Sequence, residues 1–287
     1  MIKGGSNAGK GSDQGPVPGV RLGSASATLV NGVFGDPLLR LELILGRRSL
    51  LFDLGDPGRM SARAAHQVSD VFISHAHADH IGGFLWFLRC RIGDLPPCRF
   101  YGPPGLAGQI SGMVSGIQWD RAEDRAPRVE IREYYGDHQS CYRVVAGEGP
   151  ARLLDELPIV DHTIWRESAF CVRATQLDHH TPVLAYAWEP SQQLKVRRER
   201  LEQLGLKRGR WLQTLKAAVL DGRSDETIAV AASGEFTAGQ LADKILLVEA
   251  GKKLVYATDL ADSADNRARL TALARGAHSL FCEAPFM

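Results

Sequence analysis

The sequence predicts an α/β protein, and three observations carry that prediction. Short apolar runs such as Leu50-Leu51-Phe52 and Val71-Phe72-Ile73 read as buried strands. The second of these passes through Gly82-Gly83 into Phe84-Leu85-Trp86-Phe87-Leu88, which has the look of a buried helix. Polar residues that suit metals stand at the ends of three separate runs: His75, His77, Asp79 and His80, then His179 or His180, then Asp259. Residues far apart in the chain but all at strand ends can converge on one edge of a sheet, where α/β proteins build their sites.

At 287 residues the chain can bury a sizeable core, and 44% hydrophobic with 23% charged residues is ordinary for a soluble globular enzyme. A net charge of +1 gives no global field, so attraction for nucleic acid needs a local patch. Five Cys are an odd number with no CxxC pair, which fits a reducing compartment better than a disulfide framework. No stretch is apolar for the length of a membrane span, and Met1-Ile2-Lys3-Gly4-Gly5 lacks the apolar core of a signal peptide. The expectation is a cytoplasmic protein without a membrane partner.

Residues 1 to about 20 are rich in Gly, Ser, Asn, Asp and Pro without periodicity, and read as a disordered leader ahead of a domain at 21–287. Leu39, Leu41 and Leu43 alternate with Arg40 and Glu42, a half-buried strand; the strand at 50–52 then ends at Asp53, which either caps the next loop or supports a ligand from behind. Strands are expected at 99–101, 129–134 and 169–175, a helix at 106–117, and a loop-rich insertion between about 136 and 168. Residues 183–188 read as the hairpin partner of 169–175, and 245–248 with 254–256 as a second hairpin around Gly251-Lys252. Asp262 or Ser263 caps a following helix, and 279–282 forms a last strand.

Two features carry chemistry. Neutral imidazole and carboxylate suit zinc and similar metals, and His75, His77, Asp79, His80, His179 and Asp259 make six donors, enough for two ions. A paired-metal site makes hydroxide from water at neutral pH and holds both attacking and leaving oxygens. Residues 192–216 carry Lys195, Arg197, Arg198, Arg200, Lys207, Arg208, Arg210 and Lys216 against Glu199 and Glu202, with Leu194, Leu201 and Leu204 as an apolar edge at helical spacing. Such a run is either a solvated helix face or a surface for phosphate backbones.

The stretch FISHAHADHIGG at 72–83 resembles the metallo-β-lactamase superfamily, and YGPPG at 101–105 with LDHHTPVLAY at 177–186 resembles its ribonuclease Z branch. YATD at 256–259 and CEAPF at 282–286 are similar to two further elements of that branch. The resemblance implies a four-layer αββα sandwich. It implies that Tyr186, seven residues on, selects His179 over His180 as the ligand. It places His75, His77 and His179 on one zinc and Asp79 and His80 on the other, with Asp259 bridging and Asp79 as candidate general base. It also implies an arm, here about 190–220, that grips a tRNA precursor through residues such as Lys195, Arg197, Arg198, Lys207, Arg208 and Arg210, and a homodimer.

The chain departs from the branch in having Ala185 and Ala257 where Gly is usual, and Thr258-Asp259 in reversed order. It also ends at Met287, before the branch's HxT motif and last ligand His, so the expectation is a C-terminally incomplete fold with a weakened second zinc. His278 stands at the wrong end of its strand to substitute. The reading is a zinc-dependent phosphodiesterase acting on tRNA precursor 3′ ends. The alternatives are a hydrolase of small-molecule esters, thioesters or phosphodiesters on the same metals, and an inactive RNA-binding relative.

Overall fold

The computed structural model describes residues 17–230 and 234–283. All but the end of the expected leader, and the residues after Glu283, lie outside the described residues.

Strands Gly19–Arg21 (β1), Ala25–Leu29 (β2), Leu39–Leu43 (β3) and Ser49–Phe52 (β4) form an antiparallel meander in which Leu39 and Leu41 face inward and Glu42 outward. Helix Ala62–His66 (α1), capped by the Ser61 side chain, leads into Val68–Phe72 (β5), parallel to β4. The short helix Ala78–Ile81 (α2) and Phe84–Cys90 (α3) connect to Cys98–Gly102 (β6), and Leu106–Ser115 (α4) to Arg128–Tyr134 (β7). Because β4 to β7 run parallel, their C-terminal ends share one edge, and the His-rich motif begins there. His138–Val145 (β8) and Arg152–Pro158 (β9) complete a nine-stranded sheet.

The segment 136–168 is therefore mostly strand, not loop, since Thr163–Arg166 (β10) follows β9. β9 is exposed along nearly its whole length at the sheet edge, so burial imposes no apolar alternation on its sequence.

Phe170–Asp178 (β11) and Pro182–Pro190 (β12) form the expected hairpin. The chain then leaves the sandwich for a satellite unit: Gln193–Val196 (β13), Arg198–Gln203 (α5), Trp211–Leu220 (α6), Thr227–Val230 (β14), Gly234–Thr237 (β15), Ala238–Ile245 (α7) and Leu246–Glu249 (β16). Its own core gathers Leu201, Trp211, Leu215, Leu241 and Ile245. The basic segment expected at about 190–220 thus falls within a satellite unit spanning 193–249, and it is not one helix face. Leu194 lies in a strand, Leu201 points into the satellite core, and Leu204 is exposed.

Leu254–Ala257 (β17), Ala264–Ala274 (α8) and Ser279–Cys282 (β18) return to the sandwich, giving a second sheet ordered β10-β11-β12-β17-β18. The hairpin expected between 245–248 and 254–256 does not form. β16 pairs with β13, whereas β17 lies between β12 and a parallel β18. Ser263, not Asp262, caps α8.

The two sheets face each other across an aromatic core in which Phe52 stacks on Phe72 at 5.1 Å and Phe72 on Tyr101 at 4.7 Å. Helices α1, α3 and α4 cover the outer face of the first sheet, and α8 that of the second, an αββα sandwich. Ala185 and Ala257, where glycine is usual in the branch, are buried on the α8 side with Leu273, so the methyl groups add to packing instead of obstructing the site. No helix among the described residues is long and apolar enough to cross a membrane.

Tyr186 fastens the sheets together. Its hydroxyl donates to the Ile73 carbonyl at 2.6 Å across the interface, and Leu184 N–H donates to the Ser74 carbonyl at 2.9 Å. Replacing Tyr186 with Phe keeps the ring but leaves the buried Ile73 carbonyl without this donor. Denaturant unfolding should show a loss of about 1–2 kcal/mol; an unchanged midpoint would refute the bridging role.

Candidate metal centre

The backbone of β5 passes from Phe72 through Ile73 and Ser74 to His75, and His77 begins α2, which carries Asp79 and His80 on a single turn. His75 and His80 are buried, whereas His77 and Asp79 are exposed. From the second sheet, the β11–β12 turn brings His179, and the loop after β17 brings Asp259, whose backbone is left-handed at φ 45°.

All six residues meet. Ligand atoms of His75, His80 and Asp259 lie within 4.8 Å of one another, and so do those of His77, His179 and Asp259. Asp79 Oδ2 approaches His80 Nε2 at 3.3 Å. Asp259 is common to both groups. The grouping differs from the expected one at His75, whose Nε2 lies 3.3 Å from Asp259 Oδ2 on the His80 side and 2.7 Å from His77 Nδ1 on the other. His180 stays outside the cluster and is exposed; His278 is exposed as well, beside Ser279.

The donor set fits a divalent metal. The buried His80 Nε2 lies 2.7 Å from Asp259 Oδ2 but is not aligned for a hydrogen bond with any group of the structure. A buried ring nitrogen facing two carboxylates without such a bond suits a metal ligand. Burial, with His80 beside it, pushes His75 down to about 4, so its imidazole is neutral at physiological pH. Burial also works against a charge on His80, but the contacts with Asp259 and Asp53 outweigh it and raise the group to about 10. The same contact holds Asp259 down to about 2.

Three residues behind the cluster set its geometry. Asp53, fully buried at φ 56°, accepts from Ser74 N–H at 2.7 Å and Ser74 Oγ at 2.9 Å, meets His80 Nδ1 at 2.9 Å, and accepts from Tyr256 Oη at 2.7 Å. The support reading of Asp53 is the one its contacts favour over the loop cap. Asn266 of α8 joins the two second-sheet loops, donating to the carbonyls of Asp178 and Ala261 at 2.8 and 2.9 Å and accepting from Asp178 N–H. Glu283 accepts from Thr258 Oγ1 at 2.5 Å and from Asp259 N–H at 3.3 Å. Nothing in the sequence marked Asn266, because an asparagine in a helix is locally indistinguishable from a surface residue.

In the arm, Lys195 is paired with Glu249 at 2.6 Å and Arg197 donates to the Asp243 carbonyl at 2.9 Å. Both are engaged within the fold. Arg198, Lys207, Arg208 and Arg210 are exposed, and the last three lie in the α5–α6 loop, which Trp211 braces by donating from Nε1 to the Lys207 carbonyl.

Residues 45–92 match the family described as the metallo-beta-lactamase superfamily. With the fold and the six-donor cluster, this likens the chain to metallo-β-lactamase-superfamily proteins and supports a metal-dependent hydrolase. Within that class it resembles the ribonucleases Z. Ribonuclease Z of Deinococcus radiodurans is 27% identical over 253 residues, covering 84% of this chain and 72% of that protein. Ribonuclease Z of Gloeothece citriformis is 26% identical over 216 residues, 73% of this chain and 56% of that protein, so the chain spans little more than half the length of that relative. Human tRNase Z, short form, aligns at 16% identity with a TM-score of 0.35, over 56% of this chain and 62% of that one.

A proton on His80 must leave before a metal can bind Nε2. Its folded-state value lies above the ordinary 6.5, so in the metal-free chain its charge contributes stability fully below pH 6.5, and that contribution is lost as pH rises toward 10. Zinc uptake followed by calorimetry in buffers of different ionisation enthalpy should therefore release a proton at pH 7 and tighten as pH rises. Asp53→Asn should weaken uptake by about 10–100-fold. Equal affinity in wild type and variant would remove Asp53 from the supporting role.

Proposed function

We propose that the chain is a zinc-dependent phosphodiesterase of ribonuclease Z type, cleaving RNA at tRNA precursor 3′ ends. The observation that supports it most directly is the convergence of two imidazole–carboxylate groups on the single carboxylate of Asp259. Bound there, two zinc ions would supply hydroxide at neutral pH and neutralise phosphoryl charge. The chain's own residues prepare the site. Asp53 turns His80 so that Nε2 faces the cluster, Asn266 and Glu283 hold the loops of His179 and Asp259, and His75 offers an unprotonated nitrogen. Exposed Asp79, with Oδ2 at the cluster's rim, is the group placed to take a proton from an attacking water. The five cysteines are free in the structure, which supports a cytoplasmic enzyme.

The arm supports RNA over a small substrate. Arg198, Lys207, Arg208 and Arg210 remain exposed on a unit with its own core, as a gripping surface would require. Lys195 and Arg197 serve the fold in this reading.

Incubated with a tRNA precursor and zinc, the chain should cleave near the 3′ end of the tRNA body, and a chelator should stop it. His77→Ala should lower the rate by more than the roughly 10–100-fold that loss of a supporting group costs. Cleavage that survives either treatment sinks the metal assignment, and turnover of esters or thioesters without RNA cleavage selects the small-molecule alternative.

Replacing Lys207, Arg208 and Arg210 together with Ala should weaken RNA binding across sequences and flatten its dependence on salt by up to about two units of slope. The zinc content of this variant should be unchanged. A salt slope equal to wild type would take the arm out of RNA contact.

A further inference from the structure

Where the satellite unit meets the sandwich, a cleft of about 250 Å³ opens between the β1–β2 and β3–β4 turns on one side and β13 with α6 on the other. Ile44, Leu194, Val196, Leu212 and Leu220 give it apolar walls. Three polar side chains on its lining are left without the partners that buried groups require. Ser24 Oγ and Gln193 Oε1 are buried with no hydrogen bond, and Gln193 is 91% buried. Lys216 is half-buried and makes no ion pair or hydrogen bond among the described residues, while its neighbours along α6 are largely apolar. Gln193 has no room to retreat, since its amide packs where a Cβ on Gly23 would stand, and Gly23 is held at φ 82°.

Unpaired charge and orphaned polar atoms in an apolar cleft are costly unless something satisfies them. Water would satisfy the polar atoms but has no use for apolar walls, and it leaves the ammonium without a counter-charge. We propose that this cleft binds a small amphipathic monocarboxylate, its carboxylate on Lys216 and its apolar body along Leu194, Leu212 and Leu220. The Gln193 amide, which can present either its oxygen or its nitrogen, meets the head group or its water, with Ser24 on the same lining. Burial lowers the pKa of Lys216 while the cleft is empty, and a bound anion reverses that pressure. The site contains none of the six cluster residues and stands whether or not the metal centre cleaves RNA. Its walls come from both units, so occupancy ties the arm to the sandwich.

The test uses the full chain and octanoate, with octanol and acetate as controls for head group and tail. Octanoate should bind saturably by calorimetry and protect the backbone amides of 192–196 and 212–220 from hydrogen exchange. Octanol and acetate should each bind at least about tenfold more weakly, as should octanoate to Lys216→Met, given the worth of a hydrogen bond to a charged group. If circular dichroism shows that Lys216→Met fails to fold, Ser24→Leu, which fills the cleft from the sandwich side, decides instead. Absence of octanoate binding to the wild type, binding unchanged in the folded variant, equal affinity for octanol, or protection elsewhere on the chain overturns the proposal.

Discussion

A carboxylate removed from water is tolerated only where hydrogen bonds and positive charge replace what the solvent supplied. Asp53 meets that condition with four contacts from three parts of the chain: Ser74 twice, His80 and Tyr256. The left-handed backbone at Asp53 ends β4 abruptly and turns the side chain into the gap between the sheets. The contact to His80 fixes which ring nitrogen faces the cluster, and the contact to Tyr256 fixes β17, from which the Asp259 loop departs. This one residue gives the His-rich motif and the loop of Asp259 a common reference.

The balance of charge follows from the same residue. Asp53 and Asp259 flank His80 on its two nitrogens, and their joint pull overcomes burial to hold a proton on the ring. His80 Nε2 could hold a metal ion in place of that proton, with Asp53 still at Nδ1. His75 is treated in the opposite way. It has Ser74 Oγ at Nδ1 and another imidazole at Nε2, and its neutral form is the stable one.

Much of the site was legible because the motif is local: His75 to His80 occupy one strand end and one helical turn. His179 and Asp259 were legible only as polar residues at the ends of apolar runs, a signal that gives position in a sheet but not partners. That limit explains the hairpin that failed. Leu246 to Val248 and Leu254 to Tyr256 are apolar runs around a glycine-lysine turn, yet Ile245 closes a helix whose apolar face anchors the satellite core. Pairing of β16 with β13 keeps that helix in place, so tertiary packing overrides the local turn signal. The strands between 136 and 158 were missed for the reverse reason. The second of them, β9, is the solvent-facing edge, where it buries almost nothing and its sequence is free of the period that reveals a strand.

The candidate metal centre and the sandwich are one object, because the six clustered residues come from both sheets and no short stretch of chain joins them. What holds the halves in register is a set of bonds crossing the gap: Tyr186 to Ile73, Leu184 to Ser74, and Tyr256 to Asp53. Each lands within two residues of a ligand or on the carboxylate that orients one, so a slip of either sheet would displace donors before it exposed much core. The satellite unit is under no such constraint. Its core is separate from those of the sandwich, and the β12–β13 and β16–β17 connections, the cleft at Lys216 and a hydrogen bond from Ser168 Oγ to Asp221 at 2.7 Å relate it to the rest. A fold built this way leaves the position of the satellite unit independent of the bonds that fix the six-residue cluster.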